Sequence, residues 1–304
     1  MRSANRRGSA LLTVLWLTAA LAAIGLAVAN NVRGETDRAS TNVEDAKAYF
    51  VARGAIERAE LHMQWGPDYY QPGNPVMDLS FPNAEARVEI VPETSKLGLN
   101  SITPEQLMRL IMALGVPEDR AGEIVAAIVD WRTYVPPGQQ TPFDGFYLTQ
   151  SPSFLPRHTS FLQSEELLLV KGITPDLYYG TSLDGSRAGL RDCLSPFADA
   201  GGLDINTVRA ETMIAVGIAP EDAAAIVRIR ATHAITDKEI GPIVSSLGPA
   251  GGSLRIGGNS MFTLRSTARM RRTDGKLSDM RRTAAALIKR TKTGFEVVRW
   301  YDRG

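Results

Sequence analysis

The sequence predicts an α+β protein with a long N-terminal helix, a helical middle region and C-terminal antiparallel strands. Three observations carry this prediction. An uncharged stretch continues without a break into an amphipathic one, a helical hairpin is repeated in the middle of the chain, and apolar and polar residues alternate near its end. A length of 304 residues is enough for two or three domains.

The composition excludes several classes of protein. Lys plus Arg is 34 and Asp plus Glu is 33, so the net charge of +1 gives no whole-chain field for nucleic acid or acidic partners. A single cysteine, Cys193, excludes an intramolecular disulfide framework and any multi-cysteine metal site. His62, His158 and His233 show no metal-ligand spacing, and no nucleophile or phosphate-binding motif is present. Nothing in the sequence therefore indicates an enzyme.

The N-terminus predicts a membrane helix. Residues 1–8 contain three arginines and no acid, and residues 9–29 contain no charge. At 1.5 Å per residue, this uncharged stretch forms about 31 Å of helix, enough to cross a bilayer core of about 30 Å. Because basic flanks stay on the cytoplasmic side, we expect a single-pass protein with a cytoplasmic N-terminus.

Three interpretations of this segment remain open. A secretory signal cut after Ala27-Val28-Ala29 would release a soluble protein, although the apolar stretch is longer than such signals usually are. A plain membrane anchor is the second. The third is a short basic leader that ends in Gly8 and is cut before Ser9, as in prepilins, with the apolar segment retained.

The helix is predicted to continue beyond the membrane. Residues 33–64 contain no proline, and their apolar residues recur at helical spacing until Gly66-Pro67. One helix over residues 9–64 would be about 84 Å long. A helix that is first wholly apolar and then amphipathic is the design of pilins. Residues 67–85 are predicted to form a loop and residues 86–92 a short strand.

A repeat in the middle of the chain predicts helical hairpins. Residues 100–107 are echoed by residues 206–213, and Leu114-Gly115-Val116 is echoed by Val216-Gly217-Ile218. Each copy predicts a helix capped by Asn or Ser/Thr with Glu near its third position, then a glycine turn and a second helix. Gly172-Ile173 is a third glycine–apolar pair and looks like the remnant of a third, degenerate copy of the hairpin.

These hairpins resemble the helix-hairpin-helix, which often binds the DNA backbone. That chemistry needs a second small residue so that backbone N–H groups can face a phosphate. Pro117, Ala219 and Thr174 stand at those positions, and proline has no N–H. We therefore favour hairpins used for packing and expect no nucleic acid. A membrane-anchored periplasmic protein for DNA binding or uptake is the alternative function.

The C-terminal residues predict three strands. In the first, threonines and arginines alternate with Phe262, Leu264, Ser266, Ala268 and Met270. Residues 283–290 and 295–301 predict two more strands. Residues 254–304 contain 13 Lys/Arg and 4 Asp/Glu, a net charge of +9, which leaves −8 for residues 1–253. The basic face is expected to be solvated or to dock an acidic neighbour.

Together these features resemble the type II secretion system protein K family of minor pseudopilins. The resemblance covers the whole chain, and it depends on the order of several short motifs. They are Arg7–Leu12, Leu99-Asn100-Ser101, Val129-Asp130-Trp131, Glu165–Gly172, Asp204–Thr207 and Val298-Arg299-Trp300.

The resemblance implies a pilin-like fold, a membrane helix packed on a small antiparallel sheet, interrupted by a large all-α domain with helix-hairpin-helix-like repeats. It divides the chain into five parts. They are a leader (1–8), a transmembrane segment (9–29), the rest of the helix with a loop and first strand (30–96), the inserted domain (97–253) and the strands that complete the sheet (254–304).

The resemblance also implies a function. A prepilin peptidase would cut between Gly8 and Ser9, and the new N-terminus would be methylated. The subunit would wait in the bacterial inner membrane with its bulk in the periplasm. It would then join minor pseudopilins I and J at the pseudopilus tip, helping to initiate assembly and export of folded proteins. Further implied partners are the other pseudopilins, the inner-membrane assembly platform, the secretin, secreted cargo and membrane lipid.

The sequence departs from related proteins in two places, and the first is a single position in the membrane helix. Pilins usually carry Glu at the fifth residue after cleavage, where Thr13 stands here, as in protein K. A subunit with none ahead of it has no amine for such a buried carboxylate to neutralise, which suits the tip. A tolerated residue in an ordinary membrane helix is the other interpretation.

The second departure concerns calcium, which the resemblance implies in the helical domain. The loop after Asp130 keeps only Asp130 and Asp144 as candidate ligands, with Arg132 and Thr133 where acids would help. The alternative is that Asp130 only makes a local cap or ion pair.

Overall fold

The computed structural model describes residues 6–66, 68–70, 75–180, 187–198, 202–257 and 260–301. Its first element is a single helix, α1, of 60 residues over Arg6–Trp65. Side chains from Leu11 to Glu44 are exposed, and burial begins only in the second half. The prediction of one uninterrupted helix is confirmed, and residues 1–5 of the expected leader lie outside the described residues.

The described strands form one antiparallel sheet and two small parallel pairs. They are β1 Val76–Phe81, β2 Ala84–Pro92, β3 Leu97–Gly98, β4 Leu194–Ser195, β5 Leu203–Asp204, β6 Leu254–Arg255, β7 Met261–Met270, β8 Arg282–Arg290 and β9 Phe295–Tyr301. The order of the antiparallel sheet is β1-β2-β7-β8-β9, while β3 pairs with β4 and β5 with β6.

The second half of α1 packs on one face of this sheet through small side chains. Ala52, Ala55 and Ala59 are fully buried together with Ile56, and the sheet meets them with apolar residues. Those of the central strands are Val88, Ile90, Leu264, Ala286 and Ile288. Because alanine adds little bulk, the helix can lie close to the strands, and the apolar area removed from water holds the two layers together.

One prediction about this sheet was wrong, and one was incomplete. Residues 67–85 were expected to form a loop, yet β1 lies among them and pairs with β2 along its whole length. Alternation on β7 is confirmed, but its second face is not simply solvated. The Arg265 side chain is 22% exposed and lies 3.5 Å from Asp192 of the helical domain.

The helical domain is inserted between two neighbouring strands of the sheet. The chain leaves at Pro92, the partner of Phe262 in the register of β2 with β7. It returns at Met261, later than the boundary predicted at residue 254, because Leu254–Arg255 pairs with β5 inside the inserted domain. The helices here are α2 Pro104–Ala113, α3 Glu118–Arg132, α4 Asp144–Leu148, α5 Pro175–Tyr179, α6 Leu190–Cys193, α7 Ala210–Ala215, α8 Pro220–Thr232 and α9 Asp237–Ser246.

The predicted repeat is present as two similar hairpins, α2–α3 and α7–α8. In the first, Arg132 donates to the backbone oxygens of Leu99 (2.7 Å) and Ile102 (2.6 Å). In the second, Arg230 donates to Ile205 (3.1 Å) and Val208 (2.5 Å). An arginine of the second helix thus holds the segment before the first helix in each copy.

The predicted helix caps are only partly correct. Thr103 caps α2 in a capping box, but its partner at the third position is Gln106 rather than Glu. Arg209 precedes α7 and makes no side-chain cap. The two repeated asparagines, Asn100 and Asn206, bond to distant backbone instead of capping helices.

Candidate functional site

The N-terminal site residues lie near the start of α1. Gly8 and Ser9 are within the helix, and the structure describes their backbone only. Thr13 follows them as an exposed residue. Among the described residues, one helix is long and apolar enough to cross a membrane, with a window of mean hydropathy 2.3 and no part of it buried.

The hairpin turns do not form phosphate sites. Gly115 and Gly217 have φ of +84° and +100°, so each supplies the left-handed turn that only glycine adopts freely. The helices that follow begin with Glu118-Asp119 and Pro220-Glu221-Asp222. Carboxylates in the first turn repel a phosphate at that position, where an anion would otherwise be favoured. The geometry gives the DNA-binding alternative no support.

The structure brings the two candidate calcium ligands together with Thr141 and His158. Asp130 lies near the end of α3 and Asp144 begins α4, and Thr141 Oγ1 lies 3.2 Å from Asp130 Oδ2 and 3.1 Å from Asp144 Oδ1. His158 completes the cluster, with Nε2 3.1 Å from Asp144 Oδ1 and Nδ1 3.3 Å from the Asp130 carbonyl oxygen. One ligand atom from each of Asp130, Asp144 and His158 lies within 4.8 Å of the others.

The two carboxylates of the cluster differ in electrostatic environment. Burial raises the pKa of Asp130 above its usual value, an effect that Thr141 and His158 only partly offset. Burial also opposes the charge on Asp144. For Asp144, however, the hydrogen bonds from the Thr141 backbone N–H and from His158 outweigh the effect of burial, so the pKa of Asp144 lies below its usual value. Asp144 is therefore the carboxylate that stays ionised against His158.

The cluster does not fit calcium. Calcium takes six to eight oxygen ligands, several of them carboxylates. Among the described residues, this cluster offers two carboxylates and the Thr141 hydroxyl, and an imidazole nitrogen already lies against Asp144. A local hydrogen-bonded network explains the arrangement, in which the imidazole contacts both acids. The sequence did not show His158 as a member because it lies 14 residues beyond Asp144 and meets it only through the folded loop.

The lone cysteine belongs to the core of the helical domain. Cys193 is fully buried at the end of α6, and burial raises the pKa of its thiol to about 12. A thiol in that environment stays protonated near neutral pH and is a poor nucleophile.

Comparisons with known proteins agree with this architecture. Residues 88–180 match the family described as "Type II secretion system (T2SS), protein K". No curated protein shows significant sequence similarity to the chain.

The chain is also similar to a solved structure over most of its length. A chain in the crystal structure of the GspK-GspI-GspJ complex of the type 2 secretion system of enterotoxigenic Escherichia coli matches with a TM-score of 0.60 and 17% identity. The match covers 88% of this chain and 99% of that one. The resemblance to protein K and the mixed fold with its inserted helical region are confirmed.

Proposed function

We propose that this chain is a minor pseudopilin of a type II secretion system, that it lies at the tip of the pseudopilus, and that it helps to initiate assembly and protein export. The observation that carries the proposal is the combination of a 60-residue helix, exposed from Leu11 to Glu44, with the fold of a chain from the GspK-GspI-GspJ complex. An apolar helix that its own domain leaves uncovered needs lipid or neighbouring helices as its surroundings.

The same helix suits two successive states of the protein, one inserted in the inner membrane and one assembled in the pseudopilus. While the apolar segment crosses the inner membrane, three arginines hold residues 1–8 on the cytoplasmic side and the folded domains lie in the periplasm. Cleavage between Gly8 and Ser9 by a prepilin peptidase, followed by methylation, gives a subunit that the assembly platform can draw into the pseudopilus. The exposed side chains of the helix then pack on neighbouring pseudopilins rather than on lipid.

The partners and position at the tip follow by analogy. The similar chain was solved with GspI and GspJ, so the corresponding minor pseudopilins I and J are the first partners to test. Thr13 is consistent with a terminal subunit because it places no carboxylate in the membrane and so needs no amine from a subunit ahead. The helical domain would then face the secretin or cargo.

The decisive experiment is the intact mass and N-terminal sequence of the full chain, produced with and without a prepilin peptidase. A start at Ser9 that depends on the peptidase is expected, and Gly8→Ala should remain uncut. Gly25→Ala is the matched control, since no atom lies within 4 Å of a methyl group added there. A start at Asn30 whether or not the peptidase is present would overturn the proposal and indicate a secreted soluble protein.

A second experiment tests the partners. The processed chain is mixed with minor pseudopilins I and J in detergent and the complex is measured by size-exclusion chromatography with light scattering. A ternary complex is expected. If the chain instead retards duplex DNA at micromolar concentration with a steep loss on adding salt, the DNA-binding alternative is the correct one.

A further inference from the structure

A cavity lies where the second hairpin of the helical domain meets the sheet. Its volume is about 330 Å³. The sheet contributes Glu89, Val91, Thr263 and Arg265, and the hairpin contributes residues before α7 and along α8. Those are Asn206, Thr207, Arg209, Val227, Arg230 and Ala231. The volume lies at the lower end of the range of small-molecule sites, which are usually concave and found between domains.

Positive charge exceeds negative charge in the lining. The cationic residues are Lys96, Arg209, Arg230 and Arg265, and the acidic ones are Glu89 and Asp192. Arg265 lies 3.7 Å from Glu89 and 3.5 Å from Asp192, so both acids are already engaged by one guanidinium. Lys96 is paired with Glu93 at 3.3 Å.

The remaining two arginines have no carboxylate within ion-pair distance among the described residues, although the charge of Arg209 still lowers the pKa of Asp192. Arg230 donates to two backbone oxygens. The backbone oxygen of Arg209 accepts from the Met213 N–H at 3.1 Å, but its side chain makes no ion pair or hydrogen bond with a residue that the structure describes. Burial, together with the charge of Arg209, lowers the pKa of Arg230, and the charges of Asp204 and Glu211 offset this only in part. Two like charges held near each other in a partly buried site are costly unless an anion neutralises them.

The rest of the lining is apolar. Val91 from the sheet and Val227 and Ala231 from α8 border the same space, with Pro75 and Val76 completing the wall. A ligand that suits the site therefore needs an anionic group for the arginines and a short apolar body for the valines. Inorganic anions meet only the first requirement.

We propose that this cavity binds a small organic anion, a carboxylate on a short aliphatic body, through Arg209 and Arg230. Arginine presents a planar fork of donors that matches a carboxylate, and Arg209 is free to provide it. The site is independent of the role proposed above, because it lies away from α1 and needs no other subunit.

The test measures binding to the full-length protein in detergent at low ionic strength, by thermal shift and by calorimetry. The probes are glutarate, inorganic phosphate and the capped peptide acetyl-Ala-Val-Glu-amide. A saturable rise in Tm with glutarate is expected, and none with phosphate. Binding of the peptide in place of glutarate would show that the carboxylate belongs to an acidic side chain of a partner rather than to a free molecule.

Substitutions separate a binding role from a structural one. Arg209→Gln should weaken glutarate binding at least tenfold. Arg209→Lys should restore part of the affinity. Arg228→Gln is the matched control, an exposed arginine on the same helix as Arg230. The proposal is overturned if neither glutarate nor the peptide binds, if phosphate binds as tightly, or if Arg209→Gln binds as well as the unaltered protein.

Discussion

Asn100 and Asn206 make the same pair of hydrogen bonds in two halves of the inserted domain. Asn100 bonds both backbone groups of Phe161, at 3.0 and 2.8 Å, and Asn206 bonds both backbone groups of Ile235, at 2.9 and 2.8 Å. Each asparagine therefore acts like one residue of a β-ladder, supplying a donor and an acceptor to a single distant residue. The likeness of the two hairpins extends to these loops.

Replacing Asn206 should destabilise the protein strongly. The residue is 4% exposed, so Asn206→Ala leaves the N–H and C=O of Ile235 buried without their partner. Each unsatisfied group costs about 1–3 kcal/mol, and we expect a total loss of about 3 kcal/mol. Urea unfolding followed by circular dichroism measures it. Asn83→Ala, at an exposed turn, is the control and should change stability by less than about 0.5 kcal/mol.

Calcium should have no effect on stability. The Asp130–Asp144–His158 cluster offers too few oxygen ligands, so Tm in 5 mM calcium and in a chelator should agree within about 1 °C. A ligand at 100 times its Kd would stabilise the folded state by about 2.7 kcal/mol, which is readily detected. A saturable rise in Tm with calcium would show that oxygen ligands outside the cluster complete a site.

Asp144 should make the protein sensitive to acid. Its pKa is lowered in the folded state, so its contribution is present above its ordinary pKa of 3.8 and is lost as the pH falls through the folded value. Asp144→Asn should therefore cost about 1–2 kcal/mol at pH 7 and much less at pH 3. Unfolding curves at the two pH values give the comparison. Asp37→Asn, on the exposed part of α1, should show no such difference.

Glu60 should make the protein less stable as the pH rises, the opposite of the effect of Asp144. Burial, with a smaller effect of Glu57, raises the pKa of Glu60 to about 7, and its Oε1 has no hydrogen-bond partner in the described structure. A carboxyl with a raised pKa in the folded state loses stability as the pH rises from its ordinary value of 4.5 toward 7. Glu60→Gln should stabilise the protein by about 1–2 kcal/mol at pH 8, after solvent screening, and hardly at pH 4.5.

The matched control for that prediction is Glu44→Gln, which changes an exposed carboxyl on the same helix. Thermal unfolding of both variants from pH 4.5 to 8 gives the two profiles. Parallel profiles for the two variants would mean that Glu60 is ionised at neutral pH despite its position against the sheet.

Thr13 should tolerate an apolar side chain but not a carboxylate. Thr13→Val keeps the segment neutral, and we expect secretion at the unaltered level. Thr13→Glu puts a charge into the membrane segment, at a cost of about 3 kcal/mol, and a terminal subunit has no amine ahead to offset it. We expect secretion to fall at least fivefold in a complementation assay. Equal secretion by both variants would argue against a terminal position.

Local patterns predicted the regular elements well, and tertiary contacts account for what they missed. The length of α1 and the alternation in β7 follow from residues close in sequence, and the hairpins follow from the repeat. β1 was missed because it lies among prolines and glycines and is held by its pairing with β2.

The site residues also divide into those that the sequence could indicate and those that only tertiary contacts bring together. Asp130 and Asp144 could be selected as candidates by residue type, but His158 joins them only when the loop folds back. Similarly, Arg265 pairs with Asp192, which lies 73 residues earlier in the chain. The alternating pattern around Arg265 therefore could not show that the helical domain covers its side chain. The repeated asparagines were recognised, but their acceptors lie 61 and 29 residues further along the chain.

The inserted domain begins and ends on adjacent strands, so it could be deleted without disturbing the pairing of those strands. Pro92 and Phe262 are register partners, so a chain that skips residues 94–260 needs only a tight turn to join β2 to β7 as an ordinary hairpin. The sheet would keep its order, and α1 would keep the face on which it packs. Insertions at such a position can be gained, exchanged or lost without refolding their host, so one scaffold of α1 and the sheet can carry different inserted domains.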